Sequence, residues 1–433
     1  MTPQFHFMVV APVPDAGIDD LRKLLLTMNA PGGDADPANS LFPFGEFPKL
    51  HFVRFVILTD RTMADITAYG LPAPSYPTYL AFLGEFDGPD EDIFEEFAKR
   101  AGAGLAQIFS FCEGFRSGQD VAGWMRAHDV PVSAMYINQL GRTMLSVREN
   151  VALYDALESY IEQNDAALRM QPAAGIYAQL KRFISTEVQQ GRLSLTPDAP
   201  TPTAWRLKQI LHLIGVPLVL LLLTPLLLLL SPVIIFLLWW HESHDPEIAP
   251  RIDLEHANTL AAIEDRDTTN QFSAFGSIKP GPFRRWILIF VLWIIQYTTQ
   301  HIYNRGRLAR VSTIHFARWV WVDGHKRLFF ASNYDGSLEA YMDDFINKVS
   351  FGLNAVFSNG IGYPTSRWLI AQGAKDEQKF KYYIRRHQLP TEVWYNAHPG
   401  LSAYAMQRNE KIRQGIEQHS MTEAEASAWL GLL

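Results

Sequence analysis

The chain has 433 residues, a net charge of −7 and a single cysteine, Cys112. This length leaves room for two domains with cores of their own, and the negative charge without any basic run argues against nucleic acid as a partner. One cysteine excludes an intramolecular disulfide and a cysteine-based metal cage, which fits a reducing compartment.

Hydrophobic periodicity in the first third of the chain predicts alternating strands and helices. Strands are predicted at 5–11, 51–58, 79–86 and 133–138, and helices at 18–28, 92–100 and 147–163. The order β-α-β-β-α-β is that of the ferredoxin-like unit.

The last third of the chain repeats the first. The residues His51, Phe52, Arg54, Val56, Leu80, Phe82, Asp87 and Gly88 recur as His315, Phe316, Arg318, Val320, Leu328, Phe330, Asp335 and Gly336. Farther out, Gln4-Phe5 is matched with Gln271-Phe272. We therefore predict an α+β protein with two ferredoxin-like repeats, separated by an insert and followed by a C-terminal helical tail. The predicted boundaries are 1–165 and 266–420 for the repeats, 166–265 for the insert and 421–433 for the tail.

The duplicated unit resembles the dimeric α+β barrel superfamily, which includes dye-decolourising peroxidases and chlorite-dismutase-like proteins. The resemblance implies that the two repeats close on each other as a pseudo-two-fold α+β barrel. Residues 84–88, Gly-Glu-Phe-Asp-Gly, also fit the glycine-x-x-Asp-Gly pattern of dye-decolourising peroxidases, whose aspartate faces the distal side of haem. The second repeat has Ser332 in place of the first glycine.

The insert contains an uncharged apolar run at about 214–240, which is long enough to cross a bilayer. Basic residues precede this run and acidic residues follow it, so that a single crossing would place the N-terminal flank in the cytoplasm. Such a crossing would separate the two repeats. Because Pro217, Pro225 and Pro232 interrupt the run, the sequence favours a re-entrant hairpin or a partly inserted anchor, with one full crossing as the alternative.

A second apolar helix, predicted at about 283–303, supports attachment from one side. Its apolar part, 286–295, is too short to span, and Arg284, Arg285 and Trp286 at its start are typical of a lipid interface. The alternative is that this helix only packs against the insert. We predict a membrane-associated protein with both repeats on the cytoplasmic side of the inner or plasma membrane. Its predicted partners are the lipid bilayer and a lipid-like small molecule, and a homo-oligomer is left open.

Candidate functional residues fall in the second repeat. Because Asp335 and His315 are predicted to be strand-end neighbours, the aspartate could orient the imidazole as a haem-iron ligand or a base, or the pair could be a structural clasp. Arg318 could bind an anion or pair with an acidic residue. Residues without a counterpart in the first repeat are also candidates: His301, His325, His398, Arg367, Trp319 and Trp321. Trp319 and Trp321 are predicted to share the strand face of His315, because they follow it at even spacing.

The first functional hypothesis is a membrane-attached, haem-dependent, peroxidase-like oxidoreductase that acts on a lipid-soluble or fatty-acid-like substrate. In it His315 binds the haem iron or acts as base, Asp335 orients it, and Arg318 or Arg367 holds an anionic group. Trp319, Trp321 and His398 would help His315 to bind the haem. The alternative is a non-catalytic membrane protein whose barrel binds a lipid or a protein partner. A cofactor-free, oxygenase-like barrel is a third possibility.

Overall fold

A computed structural model describes residues 1–88 and 93–433, and the predicted start of a helix at residue 92 lies outside them. The fold is mixed α+β. Its strands are β1 (Gln4–Val13), β2 (Leu50–Leu58), β3 (Thr78–Asp87), β4 (Ala134–Ile137), β5 (Thr269–Ser277), β6 (Ile314–Val322), β7 (Arg327–Asp335), β8 (Ser366–Arg367), β9 (Ala371–Gln372) and β10 (Val393–Asn396). Its helices are α1 (Ile18–Leu26), α2 (Met63–Ala68), α3 (Ile93–Phe109), α4 (Val121–His128), α5 (Met144–Leu168), α6 (Ala173–Gln189), α7 (Thr203–His244), α8 (Leu254–Ala261), α9 (Pro282–His301), α10 (Leu338–Phe357), α11 (Glu377–His387), α12 (Ala403–Glu417) and α13 (Glu423–Leu430).

Two four-stranded antiparallel sheets exchange their last strands. The first sheet has the order β1-β3-β2-β10 and the second has the order β5-β7-β6-β4. Val393 of β10 therefore pairs with Phe55, and Ala134 of β4 pairs with Trp319. The sequence did not predict this exchange, because the alternation of apolar residues identifies a strand but does not show which strand it pairs with. No closed barrel is found among the described strands.

The strand pairing also corrects one part of the predicted internal match. Gln4 lies opposite Asp87, and Thr269 lies opposite Asp335. The position of Gln4 therefore corresponds to Thr269, and the predicted match of Gln4-Phe5 with Gln271-Phe272 is wrong by two residues.

The space between the two sheets is filled by apolar side chains from both of them. Met8 and Val56 of the first sheet pack with Val320 and Phe329 of the second. Apolar contact alone does not fix how two sheets lie on each other, since it is not directional. Directional contacts come from two buried arginines.

Each of these arginines lies in one sheet and hydrogen-bonds the other. Arg54 in β2 donates to the backbone oxygens of Phe272 (2.8 Å) and Ser332 (3.1 Å), and also to the side chain of Asn333. Burial lowers the pKa of Arg54 to about 9, which still leaves it charged at neutral pH.

Arg318 in β6 makes the reciprocal contacts. It donates to the backbone oxygens of Phe7 (2.8 Å) and Gly84 (3.0 Å) and forms an ion pair with Glu85. Each guanidinium group therefore makes charge-assisted hydrogen bonds to strand carbonyls of the opposite sheet. The relative position of the two sheets is fixed by these bonds.

Helices cover the outer faces of the sheets. Helices α1, α3 and α4 pack on the first sheet, whereas α9, α10 and α11 pack on the second. Helices α5, α6, α12 and α13 form a separate apolar cluster beside them. The long helix α7 belongs to none of these layers.

Helix α7 is one continuous helix of 42 residues, and it is long and apolar enough to cross a membrane. The predicted re-entrant hairpin is therefore wrong, because no turn divides the run at 214–240. The prolines stay within the helix, where Pro removes a hydrogen bond and favours a bend. Its most apolar part is not buried against the protein.

Both ends of α7 contact the single helix α9. The rings of His212 and His301 lie 5.0 Å apart, and those of His241 and Phe283 lie 5.2 Å apart. At roughly 1.5 Å per residue, α7 runs about 44 Å between these contacts, whereas α9 runs only about 27 Å. This difference is consistent with a bend of α7 away from α9 in the part that carries the three prolines.

We expect Arg318→Ala to lower the free energy of unfolding by about 3–5 kcal/mol, because it leaves Glu85 buried without its cation. Urea unfolding in a neutral detergent measures the change. The exposed Arg310 provides the control, and Arg310→Ala should stay within about 0.5 kcal/mol of the unaltered protein. A loss below about 1 kcal/mol for Arg318→Ala would contradict the role of this arginine.

Candidate functional site

Three buried histidines, His51, His315 and His398, form a group that we call the histidine cluster. The β-pairing skips one residue in β2, between Leu50 and Phe52, and one in β6, between Ile314 and Phe316. A bulge of this kind leaves the extra residue outside the ladder and re-aims its side chain. His51 and His315 are these extra residues.

Each of these two histidines is bonded to an aspartate at the end of the neighbouring strand. Nε2 of His51 lies 2.9 Å from Oδ1 of Asp87, and Nε2 of His315 lies 2.6 Å from Oδ1 of Asp335. The predicted strand-end neighbours are therefore joined by hydrogen bonds in both sheets.

The second oxygen of each aspartate holds the start of a helix. Oδ2 of Asp87 accepts from the Met144 N–H at 2.7 Å, and Oδ2 of Asp335 accepts from the Ala403 N–H at 2.8 Å. A carboxylate at a helix N-terminus satisfies a free N–H group and favours the helix dipole. Each His-Asp pair thus links a bulge, a strand end and a helix start, which accounts structurally for its presence in both sheets.

His398 has no equivalent contact. Its ring centroid lies 5.9 Å from that of His315 and 6.3 Å from that of His51. Burial, with the neighbouring His315 and His51 acting the same way, holds the pKa of His398 well below its usual range. Its buried Nδ1 has no hydrogen-bond partner among the described residues. The side chain is therefore a neutral imidazole with a free ring nitrogen.

The histidine cluster encloses a space of about 20 Å³. This is room for about one water molecule, whereas a ligand pocket is typically about 300–1,000 Å³. In addition, Nε2 of His315 is already hydrogen-bonded to Asp335 and is not free to bind a metal. A haem does not fit these residues as they stand. Within residues 1–88 and 93–433, no group of three or more His, Cys, Asp or Glu could hold a metal ion.

The two predicted anion-binding arginines lie elsewhere. Arg318 is fully engaged between the sheets by Glu85 and backbone oxygens. Arg367 is exposed in β8, a short strand beside the end of α7, where Glu242 accepts from the N–H groups of Trp368 and Leu369 at 2.7 and 2.8 Å. Neither arginine is brought to the histidine cluster.

The two predicted tryptophans do not share a face with His315. Because the bulge at His315 shifts the alternation of β6, Trp319 lies on the outer face with Ile314 and Ala317 and packs on Phe330 at 4.9 Å. Trp321 also packs against this helix-covered core. Of the predicted haem-binding residues, only His315 and His398 are brought together.

A larger cavity, which we call the interfacial cavity, lies where β1 and β4 meet the start of α7 and the end of α9. Its volume is about 650 Å³, within the range of small-molecule sites. Its lining includes Phe5, Val132, Met135, Ile137, Leu140, Trp205 and Leu211 as apolar residues and Gln4, His6, Lys208, Gln209, His212, Gln296, Thr299, Gln300 and Asn304 as polar ones.

Hydrogen bonds between α7, α9 and β4 hold the walls of the interfacial cavity together. Oε1 of Gln296 accepts from the Met135 N–H at 2.8 Å, and Nε2 of Gln300 donates to Gln209 at 2.6 Å. Nδ1 of His212 lies 2.7 Å from Nε2 of His301. The wall formed by α7 is therefore attached to the protein by specific polar contacts.

Lys208 is the only Lys or Arg that lines the interfacial cavity among the described residues, and no Asp or Glu lines it there. Lys208 is an exposed residue that lines the cavity, and no ion pair with it is found in residues 1–88 and 93–433. One cation facing an otherwise uncharged wall can attract the anionic head of a mainly apolar molecule.

In the sequence, Lys208 is visible only as one of the basic residues that precede the apolar run, and the two glutamines were not predicted. Gln296 and Gln300 are one helical turn apart, directly after the apolar run of α9. That abrupt change from apolar to amide side chains on one helix was a usable signal. The cavity-lining residues on β1 and β4 gave no such signal in the sequence, because only the tertiary structure brings them close to α7 and α9.

Comparison with known proteins finds no match to this chain among protein-family models, curated proteins or solved structures.

The same change, His→Phe, should have different effects at two neighbouring positions. His315→Phe leaves Asp335 without its imidazole and should cost about 1–3 kcal/mol, whereas His398→Phe removes a polar group without a partner and should cost less than about 0.5 kcal/mol. Urea unfolding of both variants compares them directly. Equal losses would mean that His398 makes a stabilising bond that the structure lacks.

Proposed function

We propose that this chain is a membrane-attached protein that binds a fatty-acid-like molecule in the interfacial cavity. The single observation that carries the proposal is a cavity of about 650 Å³ whose wall includes the first turns of the apolar helix α7. A molecule leaving the bilayer along the first turns of α7 would enter this cavity. Its chain would contact Phe5, Met135 and Leu140, and its carboxylate would contact Lys208.

The proposed architecture is a duplicated ferredoxin-like unit that forms a pseudo-two-fold barrel. Support comes from the matching strand orders, the reciprocal bonds of Arg54 and Arg318, and the two isolated bridges, Val9 with Asp129 and Ala274 with Gln388, at the outer edges of the sheets. With both ends of α7 attached to this one body, α7 lies along the bilayer surface as a partly inserted anchor. The protein then stays on one side of the membrane, which we propose to be the cytoplasmic side.

A haem-dependent oxidoreductase, predicted from the superfamily resemblance, is not favoured by the geometry. The space at His315 is too small for a porphyrin, and Trp319, Trp321, Arg318 and Arg367 lie away from it. Ligand binding without catalysis requires only the volume, the apolar lining and the Lys208 cation that the interfacial cavity provides.

A fluorescent fatty acid titrated into the detergent-purified protein tests the proposed function. Leu211 is 63% exposed and lines the cavity, so that Leu211→Trp should fill space without disturbing the core, and binding should weaken at least about tenfold. Lys208→Met should weaken the binding of a fatty acid but not of the matching fatty alcohol, because only the acid carries the charge.

Two matched controls accompany this titration. Leu211→Ala opens the cavity and should retain binding, and Lys411→Met removes an exposed lysine outside the cavity. The proposal is wrong if Leu211→Trp binds the fatty acid as tightly as Leu211→Ala does.

A further inference from the structure

A second cavity lies at the opposite end of α9 from the interfacial cavity. Its volume is about 220 Å³, and we call it the basic cavity because four of its lining residues are basic: Lys279, Arg285, His325 and Lys326. Apolar side chains, including Ile66 and Tyr76, form the remaining wall. Among the described residues, no Asp or Glu lines it.

The positive charge of the basic cavity is only partly neutralised. Lys279 lies 3.1 Å from Asp245, but Asp245 also pairs with the buried Arg284 and accepts from the Tyr69 hydroxyl at 3.0 Å. For Arg285 and Lys326, which are both exposed, residues 1–88 and 93–433 provide no ion pair. Like charges placed this close repel each other in the absence of an anion.

Two backbone and side-chain features add hydrogen-bond donors to this charge. Helix α9 starts at Pro282 beside the cavity, and no side chain caps it, so that the positive end of a 20-residue helix is directed at this region. Ser277 lines the cavity and is 4% exposed, and its hydroxyl has no hydrogen-bond partner among the described residues. A buried hydroxyl without a partner is rare unless a ligand or water binds it.

From these observations we infer that the basic cavity binds a phosphate group. Arg285 and Lys326 supply the charge, the start of α9 supplies N–H groups, and Ser277 supplies a hydroxyl, which together match a tetrahedral anion with several acceptor oxygens. A cavity of this volume holds a phosphate with part of its ester, but not a nucleotide.

The position of the basic cavity favours a lipid headgroup as the source of the phosphate. Trp286, which follows Arg285, is 67% exposed, and the neighbouring Phe283 stacks on His241 at the end of the apolar helix α7. Exposed Trp and Arg side chains beside an apolar helix are typical of the level of lipid headgroups. This step rests on the proposed membrane attachment, whereas binding of free phosphate does not.

Isothermal titration of the full-length protein in a neutral detergent tests the inference. The ligands are inorganic phosphate, dioctanoyl phosphatidate and dioctanoylglycerol, which lacks the phosphate. Arg285→Gln/Lys326→Gln should weaken phosphatidate binding at least about tenfold relative to Arg310→Gln/Lys411→Gln, which removes two exposed cations elsewhere. Dioctanoylglycerol should show no difference between the two variants.

The remaining outcomes separate the possible sources. If inorganic phosphate shows the same loss as phosphatidate, the site recognises the phosphate alone, and if only phosphatidate does, a lipid is its ligand. Equal phosphatidate affinity in both double variants overturns the inference. Lys208→Met should leave phosphate binding unchanged, because Lys208 lines the other cavity, so that failure here does not affect the proposed fatty-acid site.

Discussion

The exchange of β4 and β10 between the two sheets holds the first and last thirds of the chain together. Each sheet is completed only by a strand from the other half of the chain. Arg54 and Arg318 then bond each sheet to backbone oxygens of the other. Because these bonds are buried and directional, the two halves form one body and not two domains that move freely on a linker.

This single body determines where the central insert can lie. Before α7, the Thr196 N–H donates to Glu149 at 2.7 Å, and after α7, His256 is bonded to the backbone oxygen of Gln388 at 2.9 Å. Both flanks of the apolar helix are therefore held on the protein. The interfacial cavity and the basic cavity lie near the two ends of α9, where α7 also makes its contacts.

The strands β1, β2, β3 and β4 and the His-Asp neighbours could be predicted from sequence because they depend on local patterns. The predicted strand at 51–58 corresponds to β2, and His51 lies beside Asp87 as expected. Strand exchange could not be predicted, because nothing in the sequence around Val393 indicates that this residue pairs with Phe55. The prediction that Trp319 shares a face with His315 was wrong, because the bulge at His315 re-aims that side chain and no residue type in the sequence marks a bulge.

Some residues of the candidate sites could likewise be recognised from the sequence, whereas others were found only in the structure. His315 and Asp335 were recognisable because the pattern His51 and Asp87 recurs with them in the sequence, and their contacts with Ala403 and each other explain them as part of the fold. Lys208 and Arg285 were visible only as charges flanking apolar runs. Their position in cavities depends on how α7, α9 and the strand ends pack together, and no local pattern contains that information.

Cysteine labelling determines whether both flanks of α7 lie on one side of the membrane. Asp198→Cys and Glu255→Cys place single exposed thiols before and after α7. The native Cys112 is buried, and its burial raises the pKa of the thiol to about 12, which keeps its labelling low. Intact and permeabilised cells are treated with a membrane-impermeant maleimide. In intact cells, the two thiols should either both be labelled or both be protected, and in permeabilised cells both should be labelled. Labelling of one thiol in intact cells while the other requires permeabilisation would contradict the one-sided attachment.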